Sequence, residues 1–295
     1  MNKIKFLQII IFVSCLISFL SCEKDATDVT LPNYTPKLVI FSFISPSDSI
    51  ITIKVTTTRN IYGLHVEPPA NLPIKLLLID GDKQIAFSNL DTSSNCTLKY
   101  NVQAGKEYTI KGTCVGYPDI SATCHIPAYK TLNFSTDTSS SISRSYDGSY
   151  TYLKQLLKVN LHDVPNEINY YKISSNISFT NDTISNTYDL SIDKGTAINV
   201  ELKYSSLMSD HLIDGQTITT VFPFWYDTTA NYKSFVIRAV IFEVDADYYK
   251  YHTSLDNYTD SSDPFTEFSP VYSNINGGYG IFCSYMKYQK EFRIK

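Results

Sequence analysis

Charge is scarce in this 295-residue sequence, at 18 % of the chain, and acids outnumber bases 29 to 25. No run of Lys and Arg after residue 22 is dense enough to neutralise a phosphate backbone, which excludes nucleic acid as a partner class. Cysteine occurs six times and tryptophan once. The cysteines are too scattered for a disulfide scaffold or a zinc site, and no pair has C-x-x-C spacing. The motifs of catalysis are missing as well. There is no G-x-S-x-G elbow, no S-x-x-K set with its partners and no glycine-rich phosphate loop. The five histidines, His65, His125, His162, His211 and His252, stand at no ligand spacing. The expectation is therefore no metal, no cofactor and no enzymatic activity.

The longest apolar run opens the chain. Ile4 to Leu20 is broken only by Lys5, Gln8, Ser14 and Ser18, and Lys3 and Lys5 supply a positive start. The run is shorter than the ~20 apolar residues a spanning helix needs. Small Ser21 precedes Cys22, and acidic Glu23 and Asp25 follow where a stop-transfer segment carries bases. Residues 1–21 read as a signal peptide. Cys22, placed directly after the cut, resembles a lipobox cysteine that takes a diacylglycerol. The membrane is then reached through an N-terminal lipid, and residues 22–36 form a tether.

Tyrosine is abundant, at 23 residues, and with Thr, Ser, Ile and Val it favours strands over helices. The fold class expected is all-β with one or two short helices. An immunoglobulin- or fibronectin-like β-sandwich occupies 37–128, and a larger β-sandwich-like domain occupies 129–295. Seven strands are predicted in the first part, at 37–45, 50–59, 73–80, 84–89, 98–101, 107–115 and 120–126. Ile51, Ile53 and Val55 alternate with Thr52, Lys54 and Thr56, so one face is buried. Asp80-Gly81-Asp82 is a hairpin turn. Ala104 to Tyr108 resembles a tyrosine corner, in which a Tyr hydroxyl bonds back to the backbone.

A hairpin turning near Asp119 would set Cys114 opposite Cys124, within disulfide range. The alternative is two buried free thiols. Residues 129–150, rich in Ser, Thr and Asp, read as a linker or an excursion. Strands resume at 150–161, 169–179, 198–202, 217–226, 234–244 and 280–288. A helical turn is expected around 205–213. Tyr248, Tyr251, Leu255 and Tyr258 form an amphipathic stripe, giving a helix near 246–259 that is capped by Asp245 or Asp247 and packs on the second sheet.

Binding-site candidates are aromatic. Phe222, Phe224 and Tyr226 alternate as a buried face would, and Pro223 points to an edge strand. That turns Trp225 outward as a ligand contact, with Tyr226 beside it. Asp80, Asp82 and Asp91 lack calcium-loop spacing and read as a solvated turn.

The most distinctive stretch is Asp263-Pro264-Phe265-Thr266-Glu267-Phe268 followed by Val271-Tyr272-Ser273-Asn274-Ile275-Asn276-Gly277-Gly278-Tyr279-Gly280-Ile281-Phe282. It resembles the ending of a family of Bacteroidota envelope lipoproteins, domain of unknown function 4249 (DUF4249). The similarity extends to Cys22, to Leu31-Pro32 ahead of Pro36–Ile40, to Ile126-Pro127 and to Asn169–Ile173. Phe268, where the family has Pro, and Cys283, where it has a small residue, depart from the pattern. The resemblance implies an accessory lipoprotein of the outer membrane, exposed on the cell surface and working with a TonB-dependent transporter. Within this stretch Tyr272, Asn274 and Tyr279 are candidate partner or ligand contacts. A glycan-binding or adhesive module is the alternative, and a hydrolase using scattered carboxylates is the second alternative.

Overall fold

The computed structural model describes residues 35–59, 72–144, 151–180, 185–193, 206–227, 232, 234–259 and 270–293. Cys22, the expected strand at 198–202 and the segment 263–268 lie outside them.

The fold is all-β. The strands are β1 (Leu38–Ile44), β2 (Ile50–Thr57), β3 (Ile74–Asp80), β4 (Lys83–Ala86), β5 (Asn95–Lys99), β6 (Glu107–Cys114) and β7 (Ile120–His125), then β8 (Asn133–Arg144), β9 (Thr151–His162), β10 (Tyr170–Thr180), β11 (Ser185–Leu190), β12 (Leu207–Ser209), β13 (Thr217–Asp227), β14 (Ser234–Val244) and β15 (Tyr279–Arg293), with one described helix, α1 (Ala246–Thr259), between the last two. One eight-stranded sheet runs β11-β10-β14-β15-β1-β2-β5, with β12 paired to β10. A four-stranded sheet, β4-β3-β6-β7, and a three-stranded sheet, β13-β9-β8, complete the architecture.

Alternation explains the layers. On β2, Ile51, Ile53 and Val55 are buried while Ile50, Thr52 and Lys54 are exposed. They join Leu38 and Ile40 of β1, Leu76 and Leu78 of β3 and Tyr108 and Ile110 of β6 in a first core. A second core gathers Leu157, Val159 and Leu161 of β9, Phe222 and Phe224 of β13, and Ile237 and Ile241 of β14. On β15 the even-numbered residues serve both cores in turn. Phe282 and Met286 enter the first, while Tyr288 and Phe292 pack against the second. Both smaller sheets therefore lie on the same face of the large one.

Residues 36–295 form one compact unit, and β15 is what crosses the 128/129 boundary. Val39–Ile44 of β1 pairs in parallel with Tyr279–Ser284. Beyond that point, Tyr285–Arg293 pairs antiparallel with β14. Ser284 Oγ also donates to the carbonyl of His125 at 2.8 Å, tying β15 to the sheet across the first core.

Several local expectations differ from the structure. Residues 133–144 are not a linker but β8, the Ser- and Thr-rich outer strand of the three-stranded sheet. The helical turn expected at 205–213 is instead strand β12 followed by a tight turn. Cys114 and Cys124 are free thiols. The hairpin centres on Gly116, whose φ of +86° permits the turn, rather than near Asp119. Cys124 therefore stands opposite Tyr108, and Cys114 stands opposite Ile74. The tyrosine corner forms with its polarity reversed: the Gln103 N–H donates to Tyr108 Oη at 2.9 Å.

The Asn-Gly-Gly turn explains how β15 reaches its neighbours. A Cβ on Gly278 would sit 2.6 Å from the Leu38 carbonyl, and one on Gly280 would strike the Ile40 carbonyl. Gly280 also has φ +105°, which side chains rarely adopt. Gly280→Ala is expected to cost at least about 3 kcal/mol, from backbone collision together with the disfavoured dihedral. Urea unfolding monitored by tyrosine fluorescence measures it, and a cost under about 1 kcal/mol would contradict the close approach.

Candidate functional site

Helix α1 starts where β14 ends. Asp245 is its N-cap: Oδ1 accepts the Tyr248 N–H at 2.7 Å, the third helical position, as capping requires. Oδ2 accepts the N–H of Ser284 on β15 at 2.7 Å and shares with the His125 carbonyl the single Oγ–H of that serine, whose oxygen is 2.9 Å away. Burial pushes the Asp245 carboxyl up to about 6, against the pull of these donors.

The helix lies on the outer face of the eight-stranded sheet, opposite both cores. Tyr248 packs edge-on to Phe43 of β1 at 5.6 Å, and Tyr251 meets Phe41 at 6.4 Å. Tyr249 stacks on Tyr170 of β10 at 4.7 Å. Of the expected stripe, Tyr248 and Tyr251 face the sheet and Tyr258 is exposed.

Between helix and sheet lies a cleft of about 260 Å³ lined by Phe43, Lys172, Phe242, Tyr248, His252 and Tyr285. Four strands and the helix each contribute, so no stretch of sequence announces it. Tyr248 lies over His252 at 4.4 Å, and Phe242 meets Tyr285 edge-on at 5.6 Å. Tyr285 is steadied by donating to Asp48 Oδ2 at 3.0 Å. Burial, and then Asp48, pushes its hydroxyl up to about 12.

His252 is the polar group without a role. Its Nε2 is buried and has no hydrogen-bond partner among the described residues. Burial, then the Lys172 ammonium, lowers its pKa, with Asp256 opposing; the ring is neutral at pH 7. Nothing in the sequence singled it out, because a lone His beside Tyr251, at no ligand spacing from another, carries no motif. The cleft therefore offers flat aromatic walls, one ammonium and one neutral imidazole nitrogen. A ligand with a planar or apolar body and a polar or anionic edge matches that set.

The residues nominated from the sequence fall in separate places. Tyr272 and Asn274 come together, as a latch rather than an open surface. Tyr272 Oη donates to Asp247 Oδ1 at 2.6 Å. Asn274 Nδ2 donates to Asp247 Oδ2 at 3.0 Å and to the Phe282 carbonyl at 2.7 Å, while its Oδ1 accepts the Phe282 N–H at 3.0 Å. Asn274 thus fixes the loop to β15 and to α1 together. Tyr279 is half exposed beneath the Lys37 ammonium, 4.9 Å from the ring centre. Trp225 is 51 % exposed on β13, an edge strand as Pro223 requires, with the Lys154 ammonium 5.3 Å over its ring. Tyr226 instead turns inward against Phe235 at 4.9 Å.

Asp245 joins β14, α1 and β15, and its removal tests that junction. A group whose folded pKa is raised contributes most below its unfolded value and less as pH rises through the folded one. The unfolded value here is 3.8 and the folded value about 6. Asp245→Ala should therefore destabilise by about 2 kcal/mol at pH 7.5, from loss of the cap and of its hold on Ser284. The penalty should grow by about 1–2 kcal/mol at pH 4.5. Urea unfolding of both proteins at the two pH values checks the sign; a penalty that shrinks on acidification contradicts it.

No curated protein matches the chain. Among solved structures, "Enterococcal surface protein, partial N-terminal region" is similar at 11 % identity over 72 % of this chain and 92 % of that one. Its TM-score of 0.17 is too low to carry an argument. Residues 24–291 match the family described as Domain of unknown function (DUF4249). That span takes in both cores, the cleft and the Tyr272–Asn274 latch, and the chain belongs to the DUF4249 family.

Proposed function

We propose that this protein is a lipid-anchored, non-enzymatic binding component of the outer membrane, displayed at the cell surface and working beside a TonB-dependent transporter. The observation that carries the binding role is the cleft beneath α1. Among the described residues its lining holds no carboxylate, and its one imidazole, His252, has no hydrogen-bond partner to orient it as a general base. The lining holds aromatic rings with a few convergent polar groups, the composition of a recognition site. Anchoring rests on Cys22 behind a small residue and an apolar leader, with two or more acyl chains needed for a stable hold. The transporter is the partner suggested by the family resemblance.

Affinity purification of the full chain in gentle detergent should recover an outer-membrane β-barrel, and Cys22→Ala should release the protein from the membrane fraction. Recovery of no barrel under several growth conditions, or a Cys22→Ala form that stays membrane-bound, contradicts the proposal.

One observation favours a second reading. Trp225 presents a half-exposed indole on an edge strand, flanked by Lys154, as a sugar-stacking platform does. A glycan array read with the wild type and Trp225→Ala tests this. Signal lost in the variant supports a glycan role, and no wild-type signal removes it.

A further inference from the structure

Two connections cross between the three-stranded and eight-stranded sheets side by side. Residues 163–169 join β9 to β10, and residues 210–216 join β12 to β13. Each connection brings acids. Asp163, Asp210 and Asp214 each offer a carboxylate oxygen, and the three oxygens lie within 4.8 Å of one another. Asp163 and Asp210 are buried, at 6 % and 0 % exposure, whereas Asp214 reaches solvent.

Their orientation is set by donors from both connections. Asp163 Oδ1 accepts from Tyr171 Oη at 2.8 Å and Oδ2 from the Gly215 N–H at 2.9 Å. Asp214 takes the Asn166 N–H at 2.9 Å. Asp210 Oδ2 takes the N–H and Nδ2 of Asn169, at 2.8 and 3.0 Å. That leaves Asp210 Oδ1, fully buried and without a hydrogen-bond partner among the described residues. The Asp210 carboxyl lies within hydrogen-bonding reach of Asp163, so two acids face each other out of water. The neighbouring ammonium, Lys130, does not neutralise them. It is held by Glu167 at 2.6 Å, by Glu243 at 2.9 Å and by Asn169 Oδ1 at 2.8 Å.

Buried like charges with an unmatched oxygen need either a shared proton or a cation. We propose that Asp163, Asp210 and Asp214 bind a calcium ion that pins the two crossovers together at one end of the second sandwich. An all-oxygen donor set suits a hard cation and not zinc. The three oxygens lie within 4.8 Å of one another, and carboxylates brought by two separate loops suit the irregular geometry calcium accepts better than the near-ideal octahedron magnesium demands. The exposed side at Asp214 leaves room for the waters that complete six to eight ligands. The hydrogen bonds to Tyr171, Gly215, Asn166 and Asn169 are the outer contacts that aim the carboxylates.

The shared proton is the rival, and the test separates the two. Full chain in detergent is stripped with EGTA and titrated with CaCl2 in a calorimeter, with MgCl2 in parallel. Calcium should bind at one ion per chain, at least about ten-fold tighter than magnesium. Saturating calcium should raise Tm by about 5 °C or more. Asp214→Asn, at the exposed position, should fold normally in EGTA and bind calcium roughly ten-fold or more weakly. Asp210→Asn should abolish the calcium-dependent rise in Tm. No calcium heat in the wild type, a Tm indifferent to calcium and EGTA, or unchanged affinity in Asp214→Asn overturns the site. An Asp210→Asn form as stable as the wild type at pH 7, in a protein indifferent to calcium, assigns the pair to a shared proton.

Discussion

A β-strand has two hydrogen-bonding edges, and β15 gives one to each half of the molecule. Its first half lies parallel to β1, the first described strand, and its second half antiparallel to β14. Leaving either edge unpaired in the sheet interior would strand a row of buried N–H and C=O groups. Both sandwiches thus have to be present for β15 to be satisfied. The even-numbered side chains enforce the same dependence, with Phe282 in one core and Phe292 against the other.

What surrounds β15 follows from that demand. The chain approaches the Leu38 and Ile40 carbonyls too closely for a Cβ, so glycine stands at 278 and 280. Asn274 bonds Phe282 on both its amide and its carbonyl, as a neighbouring strand would. Asp245 caps α1 and holds Ser284 with one carboxylate. The family-typical ending is thus an internal brace. It places α1 over the outer face of the sheet, and the cleft at Tyr248 and His252 exists because that placement is fixed.

Local patterns were legible in the sequence. The alternation of β2 and the apolar stripe and cap of α1 each depend on residues within one element, and so did the outward turn of Trp225 beside Pro223. Long-range pairings were not. Cys114 and Cys124 looked opposed because the turn was centred three residues late, and the positive φ of Gly116 sets the true register. β8 was hidden because an outer strand of Ser and Thr has the composition of a loop. Asp163 lies far in sequence from Asp210 and Asp214, with no motif joining them; only the adjacency of the two crossovers brings them within 4.8 Å. The cleft residues come from five elements, and His252 became distinctive only when its buried nitrogen proved to have no partner.

If β15 is shared, the halves cannot open separately. Hydrogen exchange of the full chain, read by mass spectrometry at rising urea concentrations, addresses this directly. The amides of β1 and β14 should lose protection at the same urea concentration, as a single cooperative unit. Two well-separated losses, with β1 and β2 still protected while β10 and β14 exchange freely, would show two independent domains and contradict the account.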